Sequence, residues 1–212
     1  MSIRSYGQYC PLAQALDLLG ERWTLLILRE LLGGPRRYGD LREALPGVAT
    51  NLLSDRLRRL VAEGLVEQVD VPPPVARTMY QLTDAGWGQT LPVIRALAGF
   101  GLDRLPPAPG EIPPLTGFLV GLLLGFDGGR SGQVDEDYRA VIDGRSFDFG
   151  VHPGGLRAAR GEPAAQIRGR ARDLVELRVG AATDAASRIE IQGGAGAVAR
   201  FLSLFGLEAS LA

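Results

Sequence analysis

The sequence predicts an α+β protein built from two domains, and three features of the chain lead to that prediction. Apolar residues recur at helical spacing through the first 104 residues, whereas short glycine-punctuated runs of strand-like alternation dominate from residue 115 onward. Between these halves, residues 105–114 hold five prolines in ten positions, which excludes a helix or a central strand. We therefore expect an N-terminal domain at 1–104, a proline-rich linker at 105–114 and a C-terminal domain at 115–212.

Each element of the first domain has its own signal. A first helix should begin at Pro11 and end at Gly20, because proline suits the first helical position and glycine the residue after the last. An apolar helix is expected at 22–32, a short helix near 38–45, a longer one near 50–63 and a final one from 83 or 84 to about 104. Strands at 65–71 and 77–83, joined by a tip of three prolines at 72–74, should form a hairpin.

A short helix, a longer helix and then a hairpin is the order of a winged helix-turn-helix domain. In that architecture the short helix braces the longer one, which enters the major groove, and the hairpin tip reaches a phosphate or the minor groove. Between Arg36 and Arg59, six arginines stand against three acids, so positive charge is concentrated where DNA phosphates would lie. Double-stranded DNA is therefore the expected partner.

The longer helix carries the residues expected to read bases. Asn51, the only asparagine in the chain, can bond adenine in bidentate fashion, Ser54 can reach a base or phosphate, and Arg56 can bond guanine or the backbone. The alternative for all three is a solvated helix face. Arg58 and Arg59 are further candidates, and for Arg59 an ion pair to Glu63 is the alternative.

Three more arginines are interpreted as backbone contacts. Arg36 and Arg37 precede the bracing helix and suit a phosphate clamp, with simple solvation as the alternative. Arg77, beside the proline tip, suits a wing contact, with protection of a strand edge as its alternative. The complete set of expected DNA contacts is Arg36, Arg37, Tyr38, Thr50, Asn51, Ser54, Arg56, Arg59 and Arg77.

The amino-acid composition excludes several classes of function. The 212 residues are 46% hydrophobic with a net charge of −1, which fits a packed globular chain and excludes a histone-like cationic coat. One cysteine, Cys10, and one histidine, His152, leave neither a disulfide framework nor a histidine pair for a metal. We expect no cofactor, no metal and no enzymatic activity. The longest apolar run, at 115–126, is too short to span a bilayer, so we expect a soluble cytoplasmic protein without a membrane partner.

Six short motifs in the first half resemble the HxlR family of bacterial transcription regulators. They are Cys10-Pro11, GERWTLLILR at 20–29, GPRRY at 34–38, LSDRL at 53–57, GLV at 64–66 and YQLT at 80–83. The resemblance covers about residues 8–104 and implies a homodimeric winged-helix repressor or activator that dimerises through the terminal helices of this domain. Ala49 stands where the family often has serine, so Thr50 is expected to supply the N-cap hydroxyl.

Cys10 is the one redox candidate. A thiolate directly before the Pro11 helix would be stabilised by the helix N-terminus, and the resemblance implies sensing of oxidants or electrophiles in this region. The alternative is that Cys10 is a small buried hydrophobe.

The second half is similar in pattern to the sterol-carrier-protein-like fold, a curved sheet with helices around an apolar tunnel. A meander is expected through 138–169, followed by a helix at 171–179, a strand at 188–192 and a closing helix at 196–205. Glycines at 117, 121 and 125 leave one helix face bare, against which apolar side chains could line a cavity, with a solid core as the alternative. The pocket candidates are Phe118, Leu122, Phe147, Phe149, Val198, Phe201, Leu202 and Phe205.

Together these patterns predict a sequence-specific DNA-binding transcription regulator. Helices at 12–19 and 87–102 expose apolar residues and are the expected dimer surface. An apolar small-molecule effector or Cys10 chemistry is the expected modulator of DNA binding. The alternative function is a small-molecule or lipid carrier in which the first domain serves mainly for dimerisation.

Overall fold

The computed structural model describes residues 5–71, 77–105, 110–180 and 184–208. It divides into two compact units, Met1–Gly86 and Trp87–Ala212. The expected hairpin tip at 72–74 lies outside the described residues, and the expected domain boundaries at 104 and 115 stay a prediction. Within the described ranges, no helix has the length and apolar character needed to cross a membrane.

The first unit contains the helices and the hairpin that the sequence predicts. Its elements are α1 (Pro11–Leu19), α2 (Thr24–Leu32), α3 (Tyr38–Ala44), α4 (Thr50–Ala62), β1 (Val66–Val71) and β2 (Arg77–Leu82), and α5 (Asp84–Leu102) begins at its end. Proline occupies the first position of α1, as expected.

The core of the first unit is made of leucine and isoleucine side chains. In α2, buried apolar residues point in more than one direction, so this helix is enclosed by its neighbours. The buried core residues of this unit include Ile27, Leu28, Leu31, Leu41, Leu53, Leu57 and Leu60. Each such side chain contributes about 1.5–3 kcal/mol when it leaves water, so this core holds α2, α3 and α4 together.

A backbone pair connects the hairpin to the segment before α3. The N–H of Arg36 donates to the carbonyl oxygen of Tyr80 at 2.9 Å, and the N–H of Tyr80 donates to the carbonyl oxygen of Arg36 at 2.7 Å. The hairpin itself is antiparallel, with Val66 opposite Leu82 and Val71 opposite Arg77. The bridge at Arg36 gives β2 a second neighbour beside β1 and fixes the position of the hairpin within this unit.

The second unit contains a five-stranded mixed sheet. Its strands are β3 (Glu136–Ile142), β4 (Arg145–His152), β5 (Gly155–Ala158), β6 (Ala165–Gly169) and β7 (Glu190–Gly193), in the order β5-β4-β3-β6-β7. The helices of this unit besides α5 are the segment at 114–125 (α6), α7 (Ala171–Val179) and α8 (Ala195–Phe205). The mixed α+β class and the helices at 171–179 and 196–205 agree with the sequence prediction.

The meander expected through 138–169 is wrong in its last strand. After β5 the chain crosses the start of β3, and β6 lies parallel to β3 on its far side, with Tyr138 opposite Ala165. Asp137 at the start of β3 accepts hydrogen bonds from the N–H groups of Arg160 at 3.0 Å and Gly161 at 2.5 Å. These bonds hold the segment that connects β5 to β6.

The glycine face of α6 packs against α7 and not against the aromatic side chains. A Cβ built on Gly117 would lie 2.6 Å from the Cα of Ala171, and one on Gly121 would lie 2.6 Å from the Cβ of Leu174. Six residues of this segment, Gly117–Leu122, form a π-helical turn. The bare face is therefore present as predicted, and α7 covers it.

A buried carboxylate fixes the start of α7. Asp173 is fully buried and accepts hydrogen bonds from the guanidinium groups of Arg170 at 2.8 Å and Arg188 at 2.7 Å. Burial alone would raise the pKa of Asp173, but the bonds from Arg170 and Arg188 outweigh it and hold the pKa below its usual value. Asp173 therefore stays charged and links α7 to the segment before β7.

Candidate nucleic-acid interface

The helix α4 has a buried side, an outward face opposite to it, and two flanks between them. Leu53, Leu57 and Leu60 are buried on one side, and at 100° per residue the opposite side carries Asn51 and Arg58. The Asn51 side chain is exposed, and the Arg58 side chain is 74% exposed. The outward face of α4 therefore carries this pair together with Asp55, and the Asn51 and Arg58 side chains can bond base edges in bidentate fashion.

One flank of α4 is held by α3. The Tyr38 hydroxyl donates to the carbonyl oxygen of Thr50 at 2.7 Å. The Ser54 hydroxyl lies 3.2 Å from the Tyr38 oxygen and 3.1 Å from the carbonyl oxygen of Thr50. The predicted DNA contacts Tyr38 and Ser54 are thus engaged with each other and with the first turn of α4.

The other flank is held by the turn between α1 and α2. Glu21 Oε2 accepts a hydrogen bond from Arg56 Nη2 at 2.5 Å, and Glu21 Oε1 lies 4.0 Å from Arg59 Nη1. The side chains of Arg56 and Arg59 are 15% and 21% exposed. Both predicted DNA contacts therefore face Glu21, and Arg59 pairs with Glu21 where the sequence suggested Glu63.

No hydroxyl group caps the N-terminus of α4, so the N-cap role predicted for Thr50 is wrong. Ala49 occupies the N-cap position without a side-chain hydrogen bond. The Asn51 side chain accepts a hydrogen bond from the N–H of Leu52 at 2.9 Å, so it satisfies a first-turn donor. Thr50 is exposed at the first helical position, where it stays a candidate DNA contact.

Arg36 and Arg37 are placed differently from each other. The Arg36 guanidinium lies 3.7 Å from Glu30, a carboxylate that is almost fully buried and also accepts a bond from Arg29 at 2.7 Å. Arg37 is exposed at the start of α3, and its N–H donates to Asp40 at 3.0 Å. Of the two, Arg37 is the one presented to solvent.

The described part of the hairpin has polar pairs across its strands. The Thr78 hydroxyl donates to Asp70 at 2.8 Å, and the Gln81 amide donates to Glu67 at 2.7 Å. Arg77 begins β2, and its side chain lies outside the described residues. The predicted wing contact therefore stays a prediction.

The known proteins to which the chain is similar match its N-terminal half. Residues 18–108 match the family described as HxlR-like helix-turn-helix. An HTH-type transcriptional regulator of Synechocystis is 40% identical over 111 residues, which cover 52% of this chain and 82% of the relative. The chain belongs to the HxlR family. The expected function, a DNA-binding transcription regulator, is confirmed by this membership.

Two further transcriptional regulators are similar to about half of the chain. An HTH-type transcriptional regulator of Mycobacterium tuberculosis is 44% identical over 102 residues, covering 48% of this chain and 62% of the relative. The structure of the reduced form of the transcriptional regulator YodB from Bacillus subtilis is 30% identical in sequence, with a TM-score of 0.39. The match covers 49% of this chain and the full length of the YodB chain.

Cys10 of this HxlR-family protein is the N-cap residue of α1. Its side chain is half-buried, and its carbonyl oxygen accepts a hydrogen bond from the N–H of Gln14 at 3.0 Å. The segment before it is held on α1, because the Ser5 hydroxyl and the Tyr6 N–H both donate to Asp17 and lower its pKa. The redox role of Cys10 stays a prediction.

Most of the predicted pocket residues form an aromatic cluster in the second unit. The rings of Phe118 and Phe147 are stacked with centroids 4.6 Å apart, and Phe118 and Phe149 lie 5.4 Å apart. Phe205 contacts both Phe149 and Phe201, at 5.7 and 4.8 Å. All five side chains are buried in this core, which sits between the sheet and α6 and α8.

The remaining pocket candidates divide between interior and surface. Leu122 is fully buried in the π-helical turn, whereas Val198 and Leu202 are half-buried on α8. The sterol-carrier-like identity of this unit and an apolar effector bound in it stay predictions.

Arg58 and Glu21 both matter in this geometry, but only Arg58 has a signal in the sequence. Arg58 shares the outward face with Asn51, as a helical projection anchored on Leu53, Leu57 and Leu60 indicates. Glu21 has no such signal, because it lies 35 positions from Arg56 along the chain and only the fold brings them together.

Proposed function

We propose that the protein binds a specific DNA sequence as a homodimer, with α4 as the recognition helix in the major groove. The outward face of α4 supports this proposal: Asn51 and Arg58 are exposed there, while the leucine side and the two flanks of the helix are held by the fold. In this role Asn51 reads an adenine and Arg58 a guanine or a phosphate.

Arg58 can exchange its present partner for DNA at little cost. It pairs with Asp55 at 2.7 Å, one turn earlier on the same exposed helix surface. An ion pair of this kind contributes about 0–1 kcal/mol, because water competes for both charges. A guanine or a phosphate can therefore replace Asp55 as the partner of Arg58.

Arg37 is proposed as a phosphate contact, because it is exposed at the start of α3. Such a contact fixes the register of the protein on the duplex and carries no base information.

The homodimer is supported by exposed apolar side chains on two helices, each considered by itself. On α1, Leu12 is 67% exposed and Leu16 39%. On α5, Leu97 is 49% exposed and Phe100 65%. Apolar residues in such number on helix surfaces favour burial against a second copy, and a two-fold dimer would place two copies of α4 on successive half-sites.

The experiment is selection of a binding site from a pool of random-sequence DNA duplexes, followed by affinity measurements with the selected duplex and a scrambled one. We expect Arg58→Ala to weaken binding to the selected duplex. Arg172→Ala is the matched control, because Arg172 is also an exposed helical arginine beside an acid one turn away, but lies on α7. Equal losses in both variants, or no selected sequence at all, would contradict the proposal.

A further inference from the structure

We infer that Glu21 is a positioning residue for DNA reading: its carboxylate holds α4 in the rotation that presents Asn51 and Arg58 to the bases. This inference rests on the proposed function of α4 as the recognition helix. It assigns Arg56 and Arg59 to the support of that helix, where the sequence had suggested direct DNA contacts.

The Glu21 contacts are partly shielded from water, since the Glu21 side chain is 28% exposed. Glu21 Oε2 accepts from Arg56 Nη2 at 2.5 Å, and Arg56 Nε also lies 3.5 Å from the carbonyl oxygen of Arg22. Arg59 brings a second guanidinium to within 4.0 Å of Glu21. With Arg56 only 15% exposed, this charge-assisted bond is screened less than a surface ion pair and gives a directional link.

The Glu21–Arg56 hydrogen bond and the Tyr38 contacts lie on opposite flanks of α4. Ser54 and Arg56 are two positions apart, so they lie about 160° apart around the helix axis. The Tyr38 hydroxyl holds the Thr50 and Ser54 flank, and Glu21 holds the Arg56 and Arg59 flank. Between the two flanks, the outward face is left free to meet DNA.

The apolar side of α4 and its polar flanks restrain its rotation in different ways. Contacts of Leu53, Leu57 and Leu60 with the core turn the leucine side inward, and the directional hydrogen bonds at the flanks then narrow the remaining rotation about the helix axis. At a helix radius of about 6 Å, a turn of about 15° moves a side-chain end by about 1.5 Å. That displacement is enough to break a bidentate base contact, whose hydrogen bonds tolerate only a few tenths of an ångström.

The sign of the Glu21 effect separates positioning from simple electrostatics. A carboxylate close to the DNA-binding face repels phosphates, so on charge alone Glu21→Gln should strengthen binding to every duplex. Positioning demands the opposite result for the selected sequence, because a loosened α4 no longer aligns Asn51 and Arg58 with the bases.

The test uses the full chain, the selected duplex and a scrambled duplex over a series of salt concentrations. For Glu21→Gln we expect the ratio of specific to non-specific affinity to fall about tenfold, as for the loss of one base contact, with non-specific binding unchanged or tighter. Arg56→Met should give the same loss with an unchanged salt slope, whereas a phosphate contact would lower that slope by about one. The double variant should be no worse than either single one.

Glu63→Gln is the matched control, because Glu63 is an exposed carboxylate at the C-terminal end of α4. The ratio of specific to non-specific affinity should not change in this variant. Asn51→Ala tests the proposed function separately: if it leaves the ratio unchanged, α4 is not the recognition helix. If Asn51→Ala lowers the ratio while Glu21→Gln and Arg56→Met leave it unchanged, the inference about Glu21 alone is overturned. Should Glu21→Gln fail to fold by circular dichroism, Arg56→Met decides the matter.

Discussion

Gly121 lies so close to Leu174 that a Cβ built on the glycine would come within 2.6 Å of the Cβ of the leucine. Real side chains do not approach so closely, so α6 and α7 can pack at this distance only while the position remains glycine. The contact is central to the second unit because Gly117 meets Ala171 in the same way one turn earlier.

Gly121→Ala should therefore destabilise the second unit by about 1–3 kcal/mol, the usual cost of forcing an added methyl group into a packed interior. Urea unfolding followed by circular dichroism measures the change. Gly88→Ala is the control, because a Cβ on Gly88 in α5 meets nothing within 4 Å and should leave stability unchanged or raise it. Equal stability of the two variants would show that α6 and α7 are farther apart.

Substitutions of Asn51 and Arg37 should affect DNA binding differently, because Asn51 is proposed to contact a base and Arg37 a phosphate. Asn51→Ala should lose about 1–3 kcal/mol of discrimination at one base position in each half-site. Arg37→Ala should weaken binding to all duplexes alike and reduce the salt slope by about one, because a phosphate contact is not specific for sequence. Fluorescence anisotropy with single-base variants of the selected duplex checks both, and a uniform loss for Asn51→Ala would refute its role.

Acidification should weaken the second unit through Asp173. Its folded-state pKa is depressed, so its ionisation contributes stability that is present above the unfolded pKa of about 3.9 and is lost as pH falls through the lower folded value. Asp173→Asn removes this pH dependence and weakens the charge-assisted hydrogen bonds from Arg170 and Arg188, which should cost about 1–3 kcal/mol at neutral pH.

The control for Asp173 is Asp148→Asn, because Asp148 pairs with Arg139 at 2.5 Å but is 43% exposed. An exposed pair of this kind should contribute no more than about 1 kcal/mol. Thermal unfolding of both variants between pH 3 and 7 gives the comparison, and a pH profile for Asp173→Asn that parallels the wild type would contradict the assignment.

Self-association should depend on the exposed apolar side chains of α5. Leu97→Asp should shift the protein from dimer to monomer in light scattering and weaken DNA binding, because each half-site contact would then have to form alone. Val179→Asp is the control, since Val179 on α7 is 47% exposed against 49% for Leu97. An unchanged dimer in both variants would place the interface elsewhere.

An apolar effector, if it binds the second unit, must find space within the aromatic cluster. Phe118, Phe147 and Phe149 are buried and in ring contact, so Phe147→Ala should cost about 3–5 kcal/mol and open a cavity. Thermal melting with fatty acids and cell lipid extract, on wild type and variant, checks this. A stabilising ligand for the wild type would support the effector hypothesis, whereas stabilisation of the variant alone indicates a solid native core.

The first unit was more predictable from sequence than the second, for physical reasons. The signals for α1 and α4 are local: Pro11 and Gly20 bound one helix, and the leucine spacing defines the buried side of the other. The partner of Arg56 is not a local property, since Glu21 is distant in sequence and any acid brought close by folding would serve.

The same distinction applies to the second unit. Alternation identified the strands but not their order, because the segment that connects β5 to β6 is held by bonds between Asp137 and the N–H groups of Arg160 and Gly161. The glycine spacing at 117, 121 and 125 predicted a close approach to α6. It contained no information on whether a helix, a ring or a ligand would fill the space.

The bridge between Arg36 and Tyr80 involves only main-chain atoms. Side-chain replacement at either position therefore leaves it intact, and proline, which lacks the N–H, is the substitution that removes one of its two bonds. Mutations in the hairpin can accumulate without detaching it from the segment that leads into α3. The side chains of the hairpin can thus change while its attachment to the segment before α3 persists.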